Sequence, residues 1–219
     1  LQDIRDAGKL LLPVYERTAH VDGFVSIELN PQLAFKVQES ITQARALIAE
    51  IGLPNIMIKV PGTKEGLQVV RQLLTEGINV NITLLFDPER YRQVAHTYIE
   101  ALEARMQQGK PLADIHSVAS FFISRIDTKV DAGLDKLSPG SPLRGQAAIQ
   151  VAKVTYAIFK ELFFGERFKK ITAAGGRIQR VLWASTGTKD PAYSDVLYVD
   201  TLIGPHTIVL TLQNGVDSV

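Results

Sequence analysis

The chain contains no cysteine. Disulfides, thiolate nucleophiles and cysteine-ligated metal sites are therefore excluded, a composition that fits a reducing cytosol without requiring one. Histidine is scarce: His20, His96, His116 and His206 show no metal-ligand spacing, so no metal site is expected. Apolar residues make up 46% of the sequence, yet none of their runs approaches the roughly 18 residues of a membrane span. The first residues lack the basic-then-apolar pattern of a signal peptide. Neither sign of charge is in excess, with 24 Lys and Arg against 23 Asp and Glu. Nucleic acid and membrane are therefore not expected as partners, and the expected location is the cytoplasm. The sequence opens at Leu1 directly on helix-like residues, as a piece of a longer protein or a processed product would.

What is present is an alternation. Strand candidates are GFVSIEL (23–29), IMIKV (56–60), INVNITLLF (78–86), IHSVASFFI (115–123), RVLWAST (180–186) and HTIVLTL (206–212). Helical stretches are read over 1–20, 32–51, 63–76, 88–108, 128–137, 145–164 and about 194–202. Thr63 and Asp87 are placed as N-caps, Pro88 as the first helical residue, and Gly77 just beyond a helix end. No linker or composition break appears, so residues 1–219 read as one domain.

Strands alternating with helices predict an α/β protein with a parallel sheet, either an open doubly wound sheet or a (β/α) barrel. Side chains alternate along a strand, which separates the two. Val25, Ile27 and Leu29 share one face and Ser26 and Glu28 the other; Ile56, Ile58 and Val60 oppose Met57 and Lys59; Val80, Ile82 and Leu84 oppose Asn79, Asn81 and Thr83. Each strand thus has an apolar face for helices and a second face whose polar groups gather toward its C-terminal end. That pattern favours a barrel with its site at the C-terminal face.

On the inward faces Glu28, Lys59, Asn81, Thr83 and Ser120 converge, with Arg125 just beyond its strand. Burial disfavours a charged ammonium, so a lumen lysine is expected to reach its neutral, nucleophilic form more readily and to form a Schiff base with a carbonyl. Glu28 could hold a water and shuttle protons, while Asn81 and Thr83 offer neutral hydrogen bonds. Structural alternatives stand beside these roles. Lys59 could snorkel or simply pair with Glu28, Asn81 and Thr83 could satisfy backbone groups, and Arg125 could pair with Asp127 or Asp131.

The blocks VSIELNP, NIMIKVPGTKEGL, GINVNITLLFDPERY, SVASFFISRIDTKVD and RVLWASTGTKDPAYSDVLYVD resemble the transaldolase family, in order, from about position 3 to 205. They are most similar to its longer branch, some members of which are fused to a glucose-6-phosphate isomerase. The resemblance implies a (β/α)8 TIM barrel that needs no cofactor. It would move a dihydroxyacetone unit from a ketose phosphate, such as sedoheptulose 7-phosphate, to an aldose phosphate, such as glyceraldehyde 3-phosphate, in the non-oxidative pentose phosphate pathway. It also implies roles for single residues. Lys59 matches the imine-forming lysine, Glu28 the carboxylate that works through a water, and Thr83 a holder of that water. Asn81 matches a substrate contact, and Ser120 and Arg125 match binders of substrate phosphate. Ser185 and Lys189 fall in the loop of a further phosphate contact, where other branches carry an arginine in place of the lysine.

Two departures accompany the resemblance. The family's acid/base aspartate and a substrate-contacting asparagine lie on two barrel strands that would precede GFVSIEL. After DTLIGP the sequence lacks the proline-rich strand and final helix. About six of the eight βα units are therefore expected here, with open sheet edges that favour homo-oligomers. The alternative to a transaldolase is a truncated or degenerate relative that binds sugar phosphates with little turnover. A simple aldolase using the same imine is a further rival.

Overall fold

A computed structural model of the chain describes residues 1–210. Helix α1 (Gln2–Arg17) leads into β1 (Val25–Glu28), a 3-10 turn (Pro31–Leu33) and α2 (Val37–Ile51). Then come β2 (Ile56–Pro61), α3 (Lys64–Glu76), β3 (Val80–Leu85), α4 (Pro88–Gln107) and β4 (Ser117–Phe122). Three helices follow β4: α5 (Ser124–Leu137), α6 (Ala147–Phe163) and α7 (Glu166–Ala173). The described residues end with β5 (Arg180–Ala184), α8 (Leu197–Leu202) and β6 (Thr207–Val209).

The punctuation acts as the sequence suggests. Thr63 Oγ1 accepts from the Gly66 amide at 2.9 Å, and Gly77 ends α3 in the left-handed region at φ 103°. Asp87 accepts from the Glu89 and Arg90 amides ahead of Pro88. Other boundaries differ from expectation. Asn30 Oδ1 accepts from the Gln32 amide at 3.0 Å and starts a 3-10 turn, so α2 begins only at Val37. Helix α5 starts at Ser124, four residues before the expected position, because the chain turns directly from β4 into helix. Helix α7 is not anticipated. It buries only Phe168 and Ile171 behind an extended Gly165, a signal too short to read as a separate helix. The sixth strand is confined to Thr207–Val209, and positions 211–212 lie outside the described residues.

All five strand pairings are parallel, and the strand order is the chain order, β1 to β6. A doubly wound sheet would reverse that order partway and put helices on both faces. Here Ile58, Val60, Val80 and Ile82 pack with Val69, Leu73, Val94, Tyr98 and Ile99 of α3 and α4 in the main core. Met57, Val118, Leu182 and Ala184 form a separate small cluster with Phe24, Phe122 and Ile208 on the opposite face. The layout is that of consecutive βα units of a barrel. One residue breaks the expected alternation. Leu84 adopts a left-handed φ of 61°, the β3–β4 register shifts between Ile82 and Leu85, and Leu84 is 49% exposed. Leu85, at 0% exposure, takes the core position expected for Leu84.

The N-terminal ends of the strands are closed by arginines. Arg180 pairs with Asp22 at 2.9 Å and donates to the Val21 carbonyl, while Arg177 donates to the carbonyls of Ala19 and Ala113. Beside them His116 is buried against the Phe24 ring, and among the described residues its Nε2 has no partner. Burial, and secondarily Arg177, pushes this imidazole down to about 4 from its ordinary 6.5. The unfolded chain therefore binds a proton at this site between those values that the folded chain does not. Stability is full above pH 6.5 and declines toward pH 4, by up to about 3 kcal/mol. Urea unfolding should accordingly show a steeper loss from pH 7 to 4.5 in the wild type than in His116→Gln, about the ordinary and lowered values given; equal slopes would show that His116 is not held neutral.

Candidate active site

Register brings the inward side chains together. Glu28 stands opposite Lys59 across β1 and β2, Lys59 opposite Asn81 across β2 and β3, and Pro61 opposite Thr83. The end of β2 is fixed by the residues that follow Lys59. The Gly62 amide donates to the Thr83 carbonyl at 2.8 Å. A Cβ on Gly66 would lie 1.9 Å from the Pro61 carbonyl oxygen, so only glycine lets the first turn of α3 close onto the strand end.

Lys59 Nζ lies 2.6 Å from Glu28 Oε1, with the lysine side chain 23% and the glutamate 60% exposed. The ion pair that the sequence offers as an alternative to catalysis does form. It does not account for its surroundings. Lys59 opens onto a cleft of about 560 Å³ whose wall includes Asn81, Thr83, Ser120, Arg125 and Ser185. Thr83 is 5% exposed, and among the described residues its Oγ1 has no hydrogen-bond partner. A buried hydroxyl left unpaired costs about 1–3 kcal/mol, so this one is an open place for a water or a ligand atom.

The remaining predicted residues fall into distinct situations. Ser120 Oγ donates to Asn81 Oδ1 at 2.7 Å, and Asn81 Nδ2 donates to Ser26 Oγ at 3.1 Å. Ser185, left-handed at φ 56°, shares a 2.9 Å hydroxyl contact with Ser124. Glu28 meets the cleft through Lys59 without forming its wall, and Lys189 lies exposed on the loop after β5, off the wall. That loop is held at the next residue, where Asp190 pairs with Arg144 at 2.5 Å. Among the described residues no group of three or more metal-ligating side chains is found.

Arg125 is not paired as its structural alternative requires. Asp127 accepts from the Ala148 amide and the Tyr198 hydroxyl, both at 2.7 Å. Asp131 accepts from the Gly145 amide at 3.1 Å and the Tyr193 hydroxyl at 2.7 Å. Burial, followed by the Asp131 contact, pushes the Tyr193 hydroxyl up to about 12, so it stays a donor. With both carboxylates engaged, the Arg125 guanidinium lies over the Phe122 ring at 5.2 Å from its centroid, facing the cleft.

Sequence reasoning did not single out Ser26, Phe24, Met57, Asp22 or Arg180, all of which line the cleft. Alternation was the available signal, since Ser26 shares the face of Glu28, and Arg180 that of Leu182 and Ala184. Asp22 lies in the bend before β1 and meets the wall paired with Arg180.

The two charged environments on α5 should separate under mutation. Arg125→Met is expected to change unfolding free energy by no more than about 0.5 kcal/mol, whereas Asp127→Asn should cost about 1–3 kcal/mol. Equal losses in denaturant titrations would make Arg125 a structural residue.

Residues 1–216 match the model of the Transaldolase/Fructose-6-phosphate aldolase family. The chain is 46% identical over 207 residues to a transaldolase of Saccharopolyspora erythraea, covering 94% of the chain and 56% of that protein. It is 47% identical over 217 residues to a transaldolase of Trichodesmium erythraeum, covering 94% of the chain and 57% of that protein. Identity to a transaldolase of Mycobacterium tuberculosis is 44% over 220 residues, 99% of the chain and 59% of that protein. The chain therefore spans somewhat more than half the length of these curated relatives. A match running from the first residue nearly to the last, on a sheet wound in chain order with a lysine at its inner face, leaves one conclusion: the chain belongs to the transaldolase/fructose-6-phosphate aldolase family.

Proposed function

We propose that these residues form the imine-making part of a transaldolase site. Lys59 takes the carbonyl of a ketose phosphate such as sedoheptulose 7-phosphate, and the retained dihydroxyacetone unit passes to an aldose phosphate such as glyceraldehyde 3-phosphate. The reaction belongs to the non-oxidative pentose phosphate pathway, and its expected location is the cytoplasm. The observation that carries this reading is the Lys59–Glu28 pair at 2.6 Å on a cleft shared with the Thr83 hydroxyl, which has no partner among the described residues.

The chemistry follows from those three groups. The attacking species is the neutral amine, so the ammonium first gives a proton to Glu28. Attack forms the C–N bond as the carbonyl π pair moves onto oxygen, and a proton passing from nitrogen to that oxygen gives a carbinolamine. Proton return from Glu28 to its hydroxyl lets water leave, and the nitrogen lone pair closes the C=N bond. Thr83 and Glu28 would hold the water that departs and later returns to hydrolyse the imine. Arg125, with Ser120 and Ser185, supplies hydrogen-bond donors for the substrate phosphate, a planar guanidinium being suited to paired contacts with phosphate oxygens. Lys189 would add a longer-range cationic contact. Asn81 would contact substrate hydroxyls.

Cleavage of the carbon–carbon bond needs a further base. Among the described residues, the one aspartate on the cleft wall is Asp22, ion-paired with Arg180 at the opposite end from Lys59. Imine formation is therefore the step these residues support directly. Strands β1 and β6 end the sheet among the described residues, and self-association through such edges is a further expectation.

Borohydride reduction in the presence of fructose 6-phosphate tests the reading. Covalent mass is expected on the peptide bearing Lys59 and on no other, and none in Lys59→Met. Glu28→Gln should slow trapping by about 100-fold. A folded sample that gains no adduct at Lys59 would leave a sugar-phosphate binder without imine chemistry.

A further inference from the structure

The inner face carries a second hydrogen-bonded unit, separate from the Lys59–Glu28 pair. Asn81 is gripped at both ends of its carboxamide, by Ser120 of β4 at 2.7 Å and by Ser26 of β1 at 3.1 Å. Strand β2 lies between β1 and β3, so the contact with Ser26 crosses over it. Register fixes where. Ser26 is level with Met57 and Asn81 with Lys59, and Met57 and Lys59 are successive inward residues of β2. The hydrogen bond therefore passes between them, in the manner of a barrel layer built from alternate strands. On one side of it lie Met57 and Val118, which belong to the apolar cluster. On the other lie Lys59, Thr83 and Ser120.

We infer that Ser26 is a positioning residue that fixes the carboxamide of Asn81 as a polar shelf directly beneath Lys59. Asn81 is 5% and Ser120 2% exposed, so bulk water has little access to replace a lost partner. The terminal torsion of asparagine is broad and sets no orientation by itself. A hydroxyl can donate or accept, so the two serines hold the plane of the carboxamide whichever way its ends are disposed. With one N–H engaged by Ser26, the other is left for the cleft that Asn81 lines. Removing the Ser26 hydroxyl frees the carboxamide to turn, next to the nitrogen that must meet the substrate carbonyl. The catalytic consequence rests on the proposed imine chemistry, but the positioning itself does not.

Two readouts on Ser26→Ala and Ser26→Thr separate these. The side-chain NH2 of Asn81 is followed in 15N-labelled protein and assigned by its loss in Asn81→Asp. Its exchange with solvent is expected to be slow in wild type and Ser26→Thr and at least about tenfold faster in Ser26→Ala, with thermal midpoints that match. Equal exchange in all three proteins would overturn the inference. Borohydride trapping at Lys59 with fructose 6-phosphate should fall about tenfold in Ser26→Ala and return in Ser26→Thr. Slower trapping without faster amide exchange would also overturn it, because Asn81 would not be the intermediary. If wild type itself forms no adduct, the imine reading falls, and the amide exchange still decides the role of Ser26.

Discussion

The contact between Lys59 and Glu28 exists in one register of β1 on β2. A slip of a single residue would set an apolar neighbour opposite Lys59 and turn the carboxylate toward the helices. Much of the surrounding structure serves to forbid that slip. The Val25 amide donates to the Asn55 carbonyl at 2.9 Å, and the fully buried Asn55 side chain donates to the carbonyls of Gly8 and Gly23. Helix α1, the start of β1 and the start of β2 are thereby joined at one side chain. On the outer face Ile58 is 0% exposed, and exposing a side chain of that size costs about 1.5–3 kcal/mol. Catalytic geometry on the inner face is therefore held by hydrophobic burial on the outer one.

The two ends of the sheet treat polar groups differently. At the N-terminal end arginines answer several of them, although among the described residues Asn55 Oδ1, His116 Nε2 and Gln179 Oε1 have no partner. Arg105, 5% exposed, donates to the carbonyls of Thr75 and Pro111 and among the described residues has no carboxylate partner, closing the C-terminal end of α3. Ala19 and His20 are left-handed there, yet Arg177 holds the Ala19 carbonyl and the His20 ring stacks on Tyr15 at 4.3 Å. At the C-terminal end the hydroxyl of Thr83 is open, and Leu84 and Ser185 take left-handed conformations next to the cleft. Next to the cleft, unlike at the base, a bound ligand can offset such costs.

Period-two alternation made much of this legible from sequence. It separated a barrel-like sheet from a doubly wound one and brought Glu28, Lys59, Asn81 and Thr83 to one face. Caps at Thr63 and Asp87 and the stop at Gly77 were readable because each rests on local chemistry. Other features depend on partners distant in the chain. Leu84 looked like an ordinary leucine of the helix-facing side, and its displacement reflects the β3–β4 register, which no single strand encodes. Whether Arg125 paired with an aspartate was decided by Tyr193 and Tyr198, more than sixty positions away. Ser26 was visible as a small polar residue on the right face, but its link to Asn81 spans 55 positions and an intervening strand.

The arginines at the base of the sheet have a consequence for how the chain reaches this state. Arg177 to Ala19 and Arg180 to Asp22 each join residues 158 positions apart. Neighbouring βα units can assemble as they emerge from synthesis, since their contacts are short in sequence. The floor cannot form until β5 has been made. Loop-closure entropy makes such distant contacts slow to establish. Closing the base beneath the lysine chamber is thus a late event in folding, and the turn before β1 waits for most of the chain before its arginine partners exist.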